Sequence, residues 1–145
     1  MPLEGEYEPG TWKFAADHVE RYESSGGTEA TTIRGMPVIV LTTRGRRTGK
    51  IRKSPLMRVE HEGKYAAVGS IGGAPKNPVW VYNLRANPEV TLQDGPDVYD
   101  MTAREVTGAE KAEWWKRATD AYPLYDEYQA KTERIIPVFV LEPRT

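Results

Sequence analysis

Two strand-forming runs joined by a short, densely cationic turn constrain this chain more than any other feature. MPVIVLTTR, residues 36–44, is a β-branched apolar run that predicts a buried strand. IRKSPLMRVE, residues 51–60, predicts a second strand, with Pro55 placing it at an edge or a bulge. GRRTGK turns the chain between them, punctuated by Gly45 and Gly49. Arg44, Arg46, Arg47, Lys50, Arg52 and Lys53 crowd ten residues with no acid among them. Pairing these strands therefore sets six like charges on one hairpin.

The rest of the chain reads as further antiparallel strands with helices between them. His61-Glu62-Gly63 turns into KYAAVGS, a third strand that makes a meander with the first two. Asn77 and Pro78 predict an N-cap and first turn for the helix VWVYNLRAN, which ends at Pro88. EVTLQ and VYDMTAREV follow as strands joined at Asp94-Gly95-Pro96-Asp97. Thr107 and Glu110 read as a capping box. It opens a helix with Trp114, Trp115, Ala118, Ala121 and Tyr122 on its apolar face. PLYDEYQAK is a short helical segment and IIPVFVLEP the last strand. Near the start, Trp12, Ala15, Ala16, Val19 and Tyr22 fall at helical spacing. The long SSGGTEATT loop after them suggests a loosely attached helix. About six strands and four helical segments, in runs rather than βαβ alternation, predict an α+β fold with an antiparallel sheet curled into a small barrel. Residues 1–35 read as an N-terminal helix and variable arm, and 36–145 as the barrel domain.

Several chemistries are excluded. The chain has no cysteine, so disulfides, thiolate metal sites and cysteine nucleophiles are absent, and a reducing cytoplasm is the default compartment. His18 and His61 are the only histidines and form no ligand motif, so no metal is expected. Gly69-Ser70-Ile71-Gly72 lacks the G-x-S-x-G spacing of a nucleophile elbow. Gly45 to Lys50 is one residue short of a phosphate loop, and Ile51 replaces its Ser or Thr. No apolar run approaches the roughly 20 residues that cross a bilayer. The first helix carries Glu20 and Glu23, which argues against a stable membrane anchor.

Net charge is −1, but setting aside the six hairpin cations leaves 14 basic against 21 acidic residues, or −7. Such a remainder argues against nucleic acid and for a small anion held at one place. Arginine favours bidentate contacts to phosphate or carboxylate, and Thr48 with the amides near Gly49 adds neutral donors. The bland alternative is a solvated hairpin tip. A second feature is SIGGAPKNPVWVYN, residues 70–83, whose small Ser70, Gly72, Gly73 and Ala74 let a flat ring approach the backbone. Lys76 and the start of the next helix add positive charge, and Trp80 reads as either core packing or a wall beside that ring. A third is Tyr122, Tyr125 and Tyr128, which read as an amphipathic rim or as a polar-aromatic lid supplying O–H donors.

LTTRGRRTGKIRKSPL, GSIGGAPKNPVWVYNLRANPEV, DMTAREVTGAEKAEWW, AYPLYDEYQ and IIPVFVLEP together resemble the deazaflavin (F420)-dependent nitroreductase and quinone reductase family over residues 36–143. The resemblance implies a split β-barrel of the flavin-reductase and pyridoxamine oxidase-like kind. It implies coenzyme F420, with a flat three-ring head and a tail of one phosphate and several glutamates. The activity implied is hydride transfer from the reduced deazaflavin to a quinone or nitroaromatic-type acceptor. By the same resemblance Arg46, Arg47, Thr48, Gly49, Lys50 and Arg52 hold the tail. Ser70, Ile71, Gly72, Gly73 and Lys76 line the deazaflavin and tail, and Val79, Trp80 and Asn83 flank the rings. Tyr125 and Ser70 act as donors to the acceptor, with Tyr122, Tyr128 and Met57 on the substrate side. Ile71 and Met57 depart from relatives that carry a lysine after the serine and an aromatic after Pro-Leu. An FMN-binding oxidoreductase and a non-catalytic deazaflavin carrier are the alternatives on this scaffold. The partners expected are a planar small molecule and a second copy of the chain, in the cytoplasm or at the membrane periphery.

Overall fold

In the computed structural model, residues 3–9, 13–33, 35–70 and 76–144 are described. They run α1 (Lys13–Ser24), β1 (Thr32–Ile33), β2 (Met36–Arg44), β3 (Ile51–Met57), β4 (Glu60–His61), β5 (Lys64–Val68), α2 (Val79–Ala86), β6 (Glu89–Asp94), β7 (Asp97–Val106), α3 (Gly108–Ala121), α4 (Leu124–Lys131) and β8 (Val138–Pro143). Six of the strands have five residues or more and correspond to the six read from the sequence. β1 and β4 are two-residue additions.

The sheet is antiparallel in the order β1-β2-β6-β7-β8-β5-β4, with β3 paired to β2. β2 and β3 form the expected hairpin, in register from Val38↔Met57 to Arg44↔Ile51. Among the described strands β3 pairs with β2 alone, the edge position at which Pro55 and its missing N–H are tolerated. Beyond β3 the chain crosses toward β5. Arg58 N donates to Pro37 O and Ala66 N to Val59 O, both at 2.9 Å. The sheet thus curls into a half-barrel open along β3.

Strand alternation divides the apolar side chains between two faces. Ile39, Leu41, Leu92, Met101, Phe139 and Leu141 point inward and enclose Trp80, Val81 and Leu84 of α2. Val68, Val106, Val138 and Val140 point outward against Trp114 and Ala118 of α3 and Tyr125 of α4. Val38 and Val40 receive Val19 and Tyr22 of α1.

Three local expectations are corrected. The first helix is not loose. Val19 and Tyr22 are fully buried, and burying a side chain such as Val19 contributes about 1.5–3 kcal/mol. The Tyr22 hydroxyl accepts the Gly95 amide at 2.6 Å and lies 3.1 Å from the Val38 carbonyl as donor. The loop after α1 is pinned too, because a Cβ on Gly27 would collide with the Gly95 carbonyl and its φ is +80°. Asn77 does not cap α2. Pro78 occupies that position, and the Asn77 side-chain oxygen accepts from Arg134 Nη1 at 2.8 Å. Thr107 does precede α3, but no capping box forms. The Glu110 carboxylate is drawn to Arg104 at 2.6 and 2.8 Å. In both cases a guanidinium outside the helix, Arg134 far along the chain and Arg104 on the preceding strand, offers a charge-assisted bond stronger than the local cap.

Candidate functional site

A cavity of about 1150 Å³ opens along the free edge of β3. One wall is the β3 run from Arg52 to Met57, and the facing wall is the first turns of α2. α1 covers one side through Ala15 and His18, and Tyr122, Tyr125 and Tyr128 cover another. Among the described lining residues none is acidic, while Arg52 and Lys53 are basic. The cavity therefore combines an apolar slot with two cations at its edge.

Half of the residues singled out in the sequence line this cavity: Arg52, Met57, Ser70, Val79, Trp80, Asn83 and the three tyrosines. Val79 and Trp80 stand at the start of α2, the first exposed and the second buried with an edge contact to Phe139 at 6.1 Å. Trp80 is thus both a core residue and a cavity wall. Ser70 is buried and lines the cavity, and Met57 lines it from the end of β3. Ile71, Gly72 and Gly73 lie outside the described residues. Lys76 is exposed just before α2.

Arg46, Arg47, Thr48, Gly49 and Lys50 are not cavity walls; they form the hairpin tip beyond Arg52. The tip is built by the Gly49 amide on Gly45 O at 2.9 Å, the Gly45 amide on Lys50 O at 2.7 Å and the Lys50 amide on Thr48 Oγ1 at 3.2 Å. Gly49 has φ +73°, which closes this turn. Asn83 ties the tip to the cavity. Its buried side chain accepts the Arg46 amide at 3.0 Å and donates to Thr43 Oγ1 at 3.4 Å. The Arg46 guanidinium lies over the Tyr82 ring at 4.8 Å.

The remaining cations are less bare than the sequence suggests. Arg44 donates to Glu4 O at 3.2 Å, Lys50 pairs with Glu6 at 3.8 Å and Arg52 with Glu8 at 3.7 Å. Lys53 meets Glu23 of α1 at 2.7 Å. Arg47 is exposed at the tip.

The tyrosines do not share one helix. Tyr122 is the C-terminal cap of α3, and Tyr125 and Tyr128 belong to α4. They still pack as a cluster, with Tyr122 edge-on to Tyr125 at 5.1 Å and the Tyr122 and Tyr128 hydroxyls 2.9 Å apart. Tyr122 and Tyr125 are buried, so this is not a rim with its hydroxyls in water. Burial, with Tyr122 and Tyr128 close by, pushes the Tyr125 phenol well above the usual tyrosine range. Tyr125 therefore stays protonated near neutral pH.

Two residues at the site escaped the sequence reading. Arg134 donates from Nη2 to Ser70 O at 2.7 Å and from Nη1 to Asn77 Oδ1 at 2.8 Å. It joins Ser70 to Asn77, and no local pattern places a residue 57 positions beyond Asn77 there. His18 lines the cavity from α1, and its Nε2 is shielded with no hydrogen-bond partner among the described residues. Its position at helical spacing one residue before Val19 was the available signal.

Comparison with known proteins agrees with this geometry. The family described as F420H(2)-dependent quinone reductase matches residues 14–143, which takes in α1 as well as the barrel. An F420H(2)-dependent quinone reductase of Mycobacterium tuberculosis strain H37Rv is 34% identical over 131 residues, 88% of each chain. A solved F420-H2 dependent reductase is 56% identical, covering 73% of this chain and 94% of its own, with a TM-score of 0.70. A solved chain described as a domain-swapped dimer is 50% identical, covering 87% and 95%, with a TM-score of 0.73. More remote structures under 20% identical share the fold alone, among them a pyridoxinephosphate oxidase family protein of Clostridium acetobutylicum with a TM-score of 0.52. The half-barrel is thus the split barrel of the pyridoxamine oxidase-like proteins, and the chain belongs to the F420H(2)-dependent quinone reductase family, oxidoreductases that use coenzyme F420.

Proposed function

We propose that the cavity along β3 holds the flat head of coenzyme F420 beside a planar quinone, while the hairpin holds the coenzyme's phosphate and glutamate tail. The observation that carries this reading is the bond from the Arg46 amide to Asn83 at 3.0 Å. Asn83 lines the cavity, so one residue joins the ring slot to the cationic tip.

The donor set fits such a coenzyme. Val79, Trp80, Leu56 and Met57 give apolar walls to a flat head. Arg46, Arg47, Lys50 and Arg52 give a polyanionic tail its charge-assisted contacts, with Lys76 on the approach. Thr48 and Gly49 shape the turn that presents them, and Ile71, Gly72 and Gly73 are proposed to line the head and tail on the resemblance alone. When bound in reduced form, the coenzyme supplies the hydride. The chain needs to supply no covalent nucleophile. Its part is to hold donor and acceptor carbons in contact, about 3–3.5 Å apart. The protonated Tyr125 phenol and the Ser70 hydroxyl act as catalytic donors toward the acceptor oxygen, where negative charge gathers. Tyr122 and Tyr128 hold Tyr125 in place, and Met57 gives the acceptor side a wall that adapts to its shape. A nitroaromatic is a second planar acceptor for the same slot. The assembly is a homodimer on this reading, supported by the related domain-swapped dimer. A cytoplasmic location rests on the lack of cysteine.

Fluorescence titration with the oxidised coenzyme tests the tail assignment. Replacing Arg46 and Arg47 by Ala weakens binding more at low salt than at high salt, as charge pairing requires. Equal affinity for the wild type and this variant in both salts overturns it.

A further inference from the structure

We propose that the acidic arm at residues 3–9 is a built-in competitor for the anionic tail of the coenzyme. The inference rests on the hairpin being the tail site and adds what that site holds when the coenzyme is away. The arm lies against the start of β3. Ile51 N donates to Glu6 O at 2.7 Å, and Glu8 N donates to Ile51 O at 2.9 Å. These bonds bracket Ile51 and set Glu6 and Glu8 beside Lys50 and Arg52, at 3.8 and 3.7 Å. Arg44 reaches the Glu4 carbonyl from the same hairpin.

The arm resembles the tail in its chemistry. In an extended chain residues two apart face the same way, about 6.6 Å from one another. Glu6 and Glu8, on either side of the bridged Tyr7, therefore set two carboxylates on one side of a peptide-like thread. An oligoglutamate likewise carries a carboxylate on each unit. The same cations that a glutamate tail requires already hold glutamates of the chain itself.

The two carboxylates, rather than the hydrogen-bonded backbone of the arm, are held weakly enough to be displaced. Both ion pairs are partly exposed and longer than a hydrogen bond, and such surface pairs contribute at most about fivefold each. Glu8 Oε2 is shielded yet has no hydrogen-bond partner among the described residues, so the fit of the arm is imperfect. A competitor of this kind lowers the apparent affinity by the fraction of molecules whose site is covered. The tail-less deazaflavin head occupies only the ring slot and meets no such competition.

The test neutralises the arm without shortening it, in the double variant Glu6→Gln/Glu8→Gln. The dissociation constants of oxidised F420 and of its tail-less head are measured by fluorescence at low and high salt. At low salt the variant binds F420 roughly two- to tenfold more tightly than the wild type. At high salt the difference closes, and the head binds both proteins equally. An unchanged or weaker F420 affinity in the variant overturns the inference. The Arg46→Ala/Arg47→Ala variant is titrated alongside. If it loses F420 affinity while the glutamine variant matches the wild type, only the arm's role falls. If neither differs from the wild type, the tail site itself is wrong.

Discussion

The side-chain oxygen of Asn83 accepts the backbone amide of Arg46 at 3.0 Å, so the second helix holds the cationic turn from beneath. Removing that acceptor frees the tip and strands the Thr43 hydroxyl in a buried place. Asn83→Ala is expected to lower stability by about 1–2 kcal/mol and F420 affinity several-fold. Thermal unfolding and coenzyme titration check both, and a variant that keeps wild-type affinity would separate the tip from the ring slot.

Arg134 spans Ser70 and Asn77 with two nitrogens of one planar group. A lysine is a point charge and cannot reach both oxygens together. Arg134→Ala and Arg134→Lys should therefore behave alike, each weakening the tail-less head about tenfold, the size of one charged hydrogen bond. Rescue of head binding by lysine would show that charge, not the two-pronged clasp, is what matters.

Tyr125 keeps its proton, and in the proposed function it is a donor to the acceptor. Tyr125→Phe is expected to reduce turnover with a quinone about tenfold or more and to leave coenzyme affinity unchanged. A loss of coenzyme affinity with turnover spared would move Tyr125 to the other side of the cavity. The same substitution alters alkaline stability. Because its folded pKa is raised, the wild type keeps this contribution below the unfolded value near 10 and loses it progressively as pH rises toward the folded value. Phenylalanine cannot ionise, so the fall in unfolding midpoint above about pH 10 is shallower in the variant.

The two histidines make a built-in probe. His18 lines the cavity, whereas His61 is not among its lining residues and stands edge-on to Trp114 at 6.3 Å. Adding menadione without coenzyme should shift the His18 imidazole signals in a nitrogen-detected spectrum and leave those of His61 in place. Movement of His61 alone would put the quinone outside the cavity.

Elements whose signals are local were legible in the sequence. The nine-residue run of β2, the glycine-punctuated tip and the apolar stripe of α3 each depend on neighbours in the chain, and each appears where its pattern placed it. The cavity wall from Met57 to Asn83 followed from a motif-level resemblance rather than from periodicity. What stayed hidden depends on partners far apart in sequence. Asn77 carries a good capping signal, but Arg134, 57 residues on, outbids the local amides for it. Tyr22 looked like one more apolar position until its hydroxyl met Gly95, 73 residues away. Glu6 and Glu8 read as a polar start, and only folding brings them against Lys50 and Arg52.

Hydride transfer itself is the most direct test. Reduced F420 mixed with the purified protein and excess menadione should be oxidised catalytically, seen as the return of the oxidised coenzyme's absorbance and fluorescence over many turnovers. The rate should fall in the Tyr125→Phe variant. Tight coenzyme binding without oxidation would make the protein a carrier, and a stable yellow FMN complex that turns over in place of F420 would contradict the account outright.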